Sequence, residues 1–483
     1  MISRLVSPRV VRSAVAAYIG TALGLVLLTS PASAAAPATP ARPAYQFLRS
    51  AENWSVAPKL TDHDPFDRLK FVRLDADGSN WASFGGDFRA RLEGWQDFNF
   101  GAPPNLSHDD TFLLTRFRTH ADLHFDQTAR VFLELKGAYA SDRDLPGGIR
   151  VIDQDKFELQ QAFVDFKFNL GANATMVLRP GRQELAFGVQ RLVSCLPWAN
   201  SLRTWDGVQA IVTSGDWNIT ALGTEFVPVD PGTGIGHANS DEKLYGVYAK
   251  RVVAGKPGGL ELYALRNEWV QPRNFNGTVG ADRRWTLGVR QWGPFADRAD
   301  YEVEFSYQLG STGTGDVSAW SFASQLGYQL KEDKSLRLWG GLDWATGDDS
   351  AGGDVGTFNQ LYPLGHAYFG AMDVIGRQNI IDLSAGATWK AHPKVTLTLG
   401  LHSFSADSTA DAIYNAGGGV VRAGGTFLSS NIGFEANLLA QWNAGRHVVV
   451  GAGLGRFLAG KAISQSGPSQ DTNFWYLEST FTF

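Results

Sequence analysis

The residues of this chain best suited to chemistry are arginines at two-residue spacing: Arg89 and Arg91, then Arg116 and Arg118. On an extended strand that spacing puts each pair on one face, where guanidinium forks suit carboxylates or phosphates. The same parity carries Lys136, Lys167, Arg284, Arg290 and Arg337, interleaved with Asp87, Glu93, Asp122, Glu134, Asp165, Glu302, Glu304 and Asp343. Such a face either pairs across neighbouring strands and stiffens a wall, or offers rings of charge that select a passing ion. Both can hold together.

Reaction chemistry has less to work with. His120 and His124 would share a strand face but stand about 13 Å apart, too far to hold one metal ion. Gly451-Ala-Gly453-Leu-Gly455 lies among small strand residues without the strand–helix setting of a nucleotide loop. Asp75-Ala-Asp77-Gly78 lacks the distal glutamate of a calcium loop and reads as a turn. Asp348, Asp349 and Asp354 read as a solvated Gly-rich loop. With no G-x-S-x-G elbow and no Cys/His nucleophile arrangement, the chain is expected not to be an enzyme and to use neither metal nor cofactor.

What positions the charged face is alternation. From Trp81, Phe84, Phe88, Ala90, Leu92 and Phe98 take one side, and Asp87, Arg89, Arg91, Glu93 and Asp97 the other. From about Leu113, Phe117, Ala121, Leu123 and Phe125 oppose Arg116, Arg118, His120, Asp122 and His124; then Val131, Leu133, Leu135 and Tyr139 oppose Glu134 and Lys136. Further strands are expected near 156–169, 174–183, 205–214, 216–228, 241–252, 259–270, 283–293, 298–310, 317–331, 334–346, 377–391, 394–406, 431–443, 446–457 and 472–483. The total of 18 is even, as an antiparallel barrel with both ends on one side requires.

Connections alternate in length. They are short at Asp126–Thr128, Gly171–Ala174, Ser214–Asp216, Glu332–Lys334, His392–Pro393 and Gly445. They are longer at 142–155, 184–204, 229–240, 271–282, 347–376, 407–430 and 458–471, with 311–316 the exception. An outer-membrane barrel sorts its connections this way, short periplasmic turns against long extracellular loops. A soluble sandwich has no reason to, and a propeller would repeat at about 40 residues. The expected fold class is all-β: an antiparallel transmembrane β-barrel of about 18 strands, with a water-filled lumen whose charges need not be buried. No turn is long enough to plug it from below. By length, 347–376 or 407–430 are candidates to constrict it.

The ends of the chain fit that reading. Arg4, Arg9 and Arg12 precede an apolar stretch from about Ala14 to Leu28 and an A-x-A site at Ala32-Ser33-Ala34, the pattern of a signal peptide over residues 1–34. Residues 35–80 are expected as a periplasmic lead-in and residues 81–483 as the barrel. Trp475, Leu477, Phe481 and Phe483 share one face, as in a closing strand that pairs with the first near Trp81. Hydrophobic residues are 44% but dispersed, and 54 glycines with 12% aromatics suit a sheet with tight turns and aromatic girdles. Loss of three leader arginines takes the net charge from −5 to −8, which argues against a nucleic-acid partner. The lone Cys195 forms no internal disulfide.

The stretch Leu178 to Val193 (LRPGRQELAFGVQRLV), with Arg203-Thr-Trp-Asp-Gly-Val208, resembles the signature of the alginate export family. So do Gly347-Asp348 with Gly356 to Pro363 (GTFNQLYP), Asn379-Ile-Ile-Asp382, Phe163-Val-Asp165, and the opening Trp54, Phe66 to Phe71 (FDRLKF), Gly85-Gly86 and Arg89. The resemblance spans essentially the whole chain beyond the leader. It implies an 18-stranded barrel in the cell outer membrane that passes an anionic polysaccharide such as alginate through an arginine-bearing lumen. Arg182 and Arg191 lie in the motif and would hold loop 184–204. With the lumen-parity cations, the expected path is Arg89, Arg91, Arg116, Arg118, Lys136, Arg182, Arg284, Arg290 and Arg337. The alternative is an uptake porin of the same architecture for small polar or anionic solutes, which the mixed lumen charge leaves open. The remaining partners expected are outer-membrane lipid and lipopolysaccharide, around a monomeric chain.

Overall fold

The structure is a computed structural model that describes residues 41–483 apart from Thr233. The expected signal peptide and the first residues of the lead-in lie outside the described residues. Eighteen strands follow in chain order: β1 Trp81–Gln96, β2 Asp110–Phe125, β3 Ala129–Ala140, β4 Asp155–Asn169, β5 Ala174–Gln183, β6 Thr204–Ser214, β7 Trp217–Val227, β8 Glu242–Arg251 and β9 Gly259–Phe275; then β10 Thr278–Ala296, β11 Ala299–Thr312, β12 Gly315–Gln329, β13 Leu336–Ala345, β14 Ile380–His392, β15 Val395–Ser405, β16 Asn431–Asn443, β17 Val448–Ala459 and β18 Thr472–Thr482. Each pairs antiparallel with its sequence neighbours, and β18 pairs back onto β1 from Asn473 opposite Gln96 to Thr482 opposite Asp87. The sheet is therefore a closed barrel without an edge. The all-β expectation and the count of 18 both hold.

Period-two side-chain alternation sorts the two faces. On β1, Phe84 and Phe88 stand outward, while Asp87, Arg89, Arg91 and Glu93 are buried inside; on β2, Leu113 and Phe117 are outside and Arg116 and Arg118 inside. An apolar outer band over a polar inner face is the pattern of a barrel immersed in lipid.

Both ends of the strand series lie at one rim, the turn end, where connections run from 215–216 to the seven residues 252–258. The opposite rim, the loop end, carries 97–109, 141–154, 184–203, 228–241, 346–379, 406–430 and 460–471. Among the described residues helix is confined to short pieces such as Asp67–Lys70 and Lys461–Ser466. The expected long connection at 271–282 is absent: β9 and β10 run on to Phe275 and Thr278 and meet in Asn276-Gly277. Their φ angles of 45° and 91° are those of the two-residue turn that Asn-Gly favours, because it matches strand twist. The polar flanks Gln271, Arg273 and Asn274 mask that local signal.

Residues 42–73 fold against the turn end. Arg42 forks onto Asp62 and Asp67 at 3.1 and 2.5 Å. Asp64 pairs with His447 and Arg446 at 2.7 and 2.9 Å. Val72–Arg73 pairs with the first residues of β1, which β18 does not reach. The terminal residue meets Gly86 rather than Trp81: Phe483 and Gly86 exchange two backbone hydrogen bonds of 3.0 Å. Register is set by keeping Phe481 and Phe88 opposite each other on the outer face.

This docking makes a pH prediction. Burial raises the Asp64 carboxyl, but hydrogen bonds from the Phe66 amide, His447 and Arg446 outweigh it and hold the group at about 2. A carboxyl held below its free value stabilises the folded state above that value, and the contribution is lost as pH falls through the folded one. Hydrogen exchange in residues 60–70, corrected for intrinsic rate, should therefore be flat down to about pH 4 and lose protection from there toward about pH 2. Asp64→Asn should abolish that step; a step unchanged by the substitution would show that another group controls it.

Candidate functional site

Two loops fill the loop-end half of the lumen. Loop 184–203 meets loop 346–379 backbone to backbone: the Tyr362 amide donates to the Leu192 carbonyl at 2.8 Å and the Ser194 amide to the Tyr362 carbonyl at 2.9 Å. Leu185, Leu192, Val193, Phe358, Leu361 and Tyr362 of these loops belong to one apolar core with Trp205, Leu244, Tyr248, Tyr263 and Trp269 of the wall. Burying those side chains is the force that draws the loops inward. Of the two loops singled out by length, the first spans this inward segment; the second, 406–430, braces it, the Asn379 amide donating to the Ser408 and Ala412 carbonyls at 2.9 Å. Toward the turn end the inner wall is wetter, and the Lys250 side chain is 49% exposed.

The tip of loop 184–203 is gripped by three arginines. Arg89 donates to the Pro197, Trp198 and Ala199 carbonyls at 3.2, 3.1 and 2.9 Å and to Asn200 Oδ1 at 3.1 Å. Arg91 donates to the Trp198 carbonyl at 2.7 Å, and Arg116 to those of Pro197 and Ala199 at 3.3 and 2.9 Å. Arg91 lies 3.8 Å over the Trp198 ring, whose stack continues with His366 at 3.7 Å. The Asn200 amide nitrogen donates to the carbonyls of Thr115, Tyr139 and Asp153 at 3.1, 3.1 and 2.9 Å. Carboxylates are scarce here: Arg91 has Glu93 at 2.8 Å, and Glu478 stands 3.6 Å from both Arg89 and Arg91. Neutral carbonyls carry much of the load.

The other cations stand in separate pairs around the wall. Arg118 lies 2.6 Å from Asp87 and 3.8 Å from Glu134, and Lys136 is 2.7 Å from Asp155. Arg284 is 2.7 Å from Asp282 and donates to the Thr357 carbonyl at 3.2 Å. Arg290 bridges Glu261 and Glu302 at 2.7 and 2.8 Å, and Arg337 is 2.5 Å from Asp300. Arg182 binds Asp206 and Glu158 at 2.7 and 2.8 Å and the Gly236 carbonyl at 2.7 Å, which ties it to loop 228–241. Arg191 reaches Glu302 and Glu304 at 2.5 and 3.0 Å and thereby anchors loop 184–203 to β11. All of the expected path residues except Arg337 are buried. The expected lumen is water-filled, so that these charges need not be buried; here inward loops cover them, and a buried charge must be paired or hydrogen-bonded.

Cavities lie toward both ends of the barrel. At the loop end a cavity of about 360 Å³ is lined by Arg91, Glu93, Arg150, Asp153, Trp198, Arg203 and Asp373 among others. A second, of about 1000 Å³ at the turn end, is bounded by Ser50, Glu52, Arg130, Asp165 and Lys167. In the first, Arg150 is paired with Asp153 at 2.8 Å and Asp373 leans on His366 at 3.4 Å. Among the described residues the Arg203 guanidinium donates to the Pro363 and Ser194 carbonyls, at 2.9 and 3.4 Å. Burial lowers its guanidinium to about 10, still charged at neutral pH. Arg203, Trp198 and Asn200 escaped the reading by strand parity because they lie in a loop; the motif Arg203-Thr-Trp-Asp was their one signal. His120 and His124 serve as ring partners, His124 stacking on Trp81 at 3.9 Å.

A closed 18-strand barrel with an apolar outer band and a lumen narrowed by its own loops is an outer-membrane channel. Among solved structures it is similar to three Pseudomonas aeruginosa proteins: the outer membrane protein OpdK (TM-score 0.55, 10% identity, covering 83% of this chain and 99% of that one), OccD3 (0.54, 11%, 83% and 91%) and the outer membrane protein OprD (0.51, 13%, 83% and 94%). The likeness is one of fold. The alginate export profile matches residues 80–477, and the chain belongs to that family. It is a channel-type transporter of the outer membrane. No curated protein matches it.

The loop anchor is testable. Asn200→Asp would aim an oxygen at three carbonyls, at a cost of about 1–3 kcal/mol or more. The variant should become susceptible to protease within residues 184–203 and melt at lower temperature, with Asn200→Ala intermediate. Wild-type resistance in Asn200→Asp would mean the tip is held by the arginines alone.

Proposed function

We propose that this protein is a narrow, selective channel for small anionic solutes. The observation that carries the reading is the packing of loops into the loop end of the barrel, where Arg89, Arg91 and Arg116 grip residues 197–200 beside a cavity of about 360 Å³. A solute passes such a bottleneck singly, whereas an extended glycan needs a continuous bore. Charge selection falls to Arg203, the cation of the outer cavity with carbonyl partners instead of a carboxylate, assisted by Arg91; a guanidinium so placed suits a carboxylate. Arg89, Arg116 and Arg284 shape the path by holding loops, Arg118, Lys136 and Arg290 by pairing with carboxylates of the wall, Arg182 braces its rim, and Arg337 lines its turn end. The chain acts as a monomer, a transporter rather than an enzyme, with its apolar band against lipid and lipopolysaccharide. Export of an anionic polysaccharide is the second reading, favoured by the family match; it requires loop 184–203 to leave the lumen.

Planar bilayers under a KCl gradient separate these. Wild-type protein should be anion-selective, and Arg203→Gln should lower the anion-to-cation permeability ratio by about threefold. Galacturonate should reduce the chloride current while its hexamer leaves it unchanged. Equal block by the hexamer would favour the polysaccharide reading, and an unaltered ratio in Arg203→Gln would remove Arg203 from the selective path.

A further inference from the structure

We propose that residues 45–54 are a plug that narrows the channel from the turn end, backed by Lys70, which fills a slot built into β1. The segment touches the inner faces of three strands. The Phe47 carbonyl accepts from Arg118 Nη2 of β2 at 3.3 Å, and its ring lies 4.4 Å from the Arg118 guanidinium and 5.4 Å from that of Arg116. Arg49, buried and paired with Glu52 at 2.9 Å, donates to the Gly86 carbonyl of β1 at 3.2 Å and to the Phe483 carbonyl at 3.0 Å. The Ser50 carbonyl accepts from Arg130 of β3 at 2.8 Å. Trp54 donates to Glu52 at 2.7 Å, and Lys70 Nζ lies 5.1 and 5.2 Å from the Trp54 and Tyr45 rings. A segment that merely capped the rim would not reach the inward-pointing Arg116 and Arg118.

The slot is written into the strand. Inward residues of β1 run Trp81, Ser83, Gly85, Asp87 and Arg89, and at Gly85 the ladder drops its side chain. A Cβ there would fall 2.6 Å from Lys70 Nζ and 2.7 Å from the Phe483 carbonyl, distances that only glycine avoids. Lys70, which donates to the Phe84 carbonyl at 2.9 Å, fills the vacated space; burial lowers its ammonium to about 8. The plug also meets the constriction. Arg116 holds the Ala199 carbonyl at 2.9 Å on one side and faces Phe47 at 5.4 Å on the other. Loop tip, arginines and plug therefore form one bottleneck, and passage at the turn end is confined to the space beside the plug, along Glu52, Arg130 and Lys167. No turn supplies this element; the chain N-terminal to β1 does.

The test uses the full chain in planar bilayers, with folding checked by heat-modifiable gel mobility. Phe47→Ala combined with Arg49→Ala removes the grip, and Gly85→Leu displaces Lys70 from the slot behind the plug. Each should raise single-channel conductance by about twofold or more, while Thr61→Ala, exposed on the lead-in and outside the plug, leaves it at the wild-type value. Should Gly85→Leu fail to fold, the double variant decides. Wild-type conductance in a folded double variant, even with a lowered melting temperature, would make the segment a brace and overturn the plug. Channel activity in wild type with no rise in the variants leaves the transport reading intact and removes only this one.

Discussion

Closing β18 onto β1 removes every sheet edge from the lipid, and by the same act it encloses an inner face on which arginines and carboxylates alternate. Each of those charges must be solvated, paired or hydrogen-bonded. A bare lumen would solvate them with water. This protein instead folds two loops and an N-terminal segment into the barrel, and the inner charges become their anchors. Arg284 on the Thr357 carbonyl and Arg191 on Glu304 are examples from opposite directions: a wall residue holding a loop, and a loop residue holding the wall.

The Arg89, Arg91 and Arg116 cluster shows what this arrangement does to the field. Ion pairs elsewhere cancel locally, as Lys136 does with Asp155 at 2.7 Å. Here carbonyl oxygens stand in for much of the missing negative charge. Carbonyls satisfy hydrogen bonds without neutralising the guanidinium, so the cluster keeps more of its charge than a fully paired one would. The cluster therefore holds the loop tip without being paired one to one with carboxylates.

Much of this was legible in the linear chain. Phe84, Phe88, Arg89 and Arg91 announced two faces, because strand alternation is a property of neighbouring residues and survives any tertiary context. Strands 174–183 and 431–443 fell where alternation placed them. The failures are equally physical. At 271–282 an Asn-Gly turn sat inside polar strand ends, and polarity was read as loop. Loop 184–203 holds apolar residues such as Leu192 and Val193 without strand periodicity, and nothing local says whether such residues face a core or a rim. Residues 45–54 read only as part of a periplasmic lead-in, because their partners, Arg118, Arg130 and Phe483, lie far along the chain.

The sequence by itself determined the closed 18-strand barrel, its outer band and the charged inner face, since these follow from period two, turn chemistry and chain order. Only the tertiary structure decided what the lumen contains. Arg89 meets Ala199 across 110 residues and Arg49 meets Phe483 across 434. Contacts at such separations leave no periodicity for a reader of neighbours to find. They arise because an enclosed polar face must be satisfied, and whichever segments can reach it while burying their own apolar side chains will fill the space.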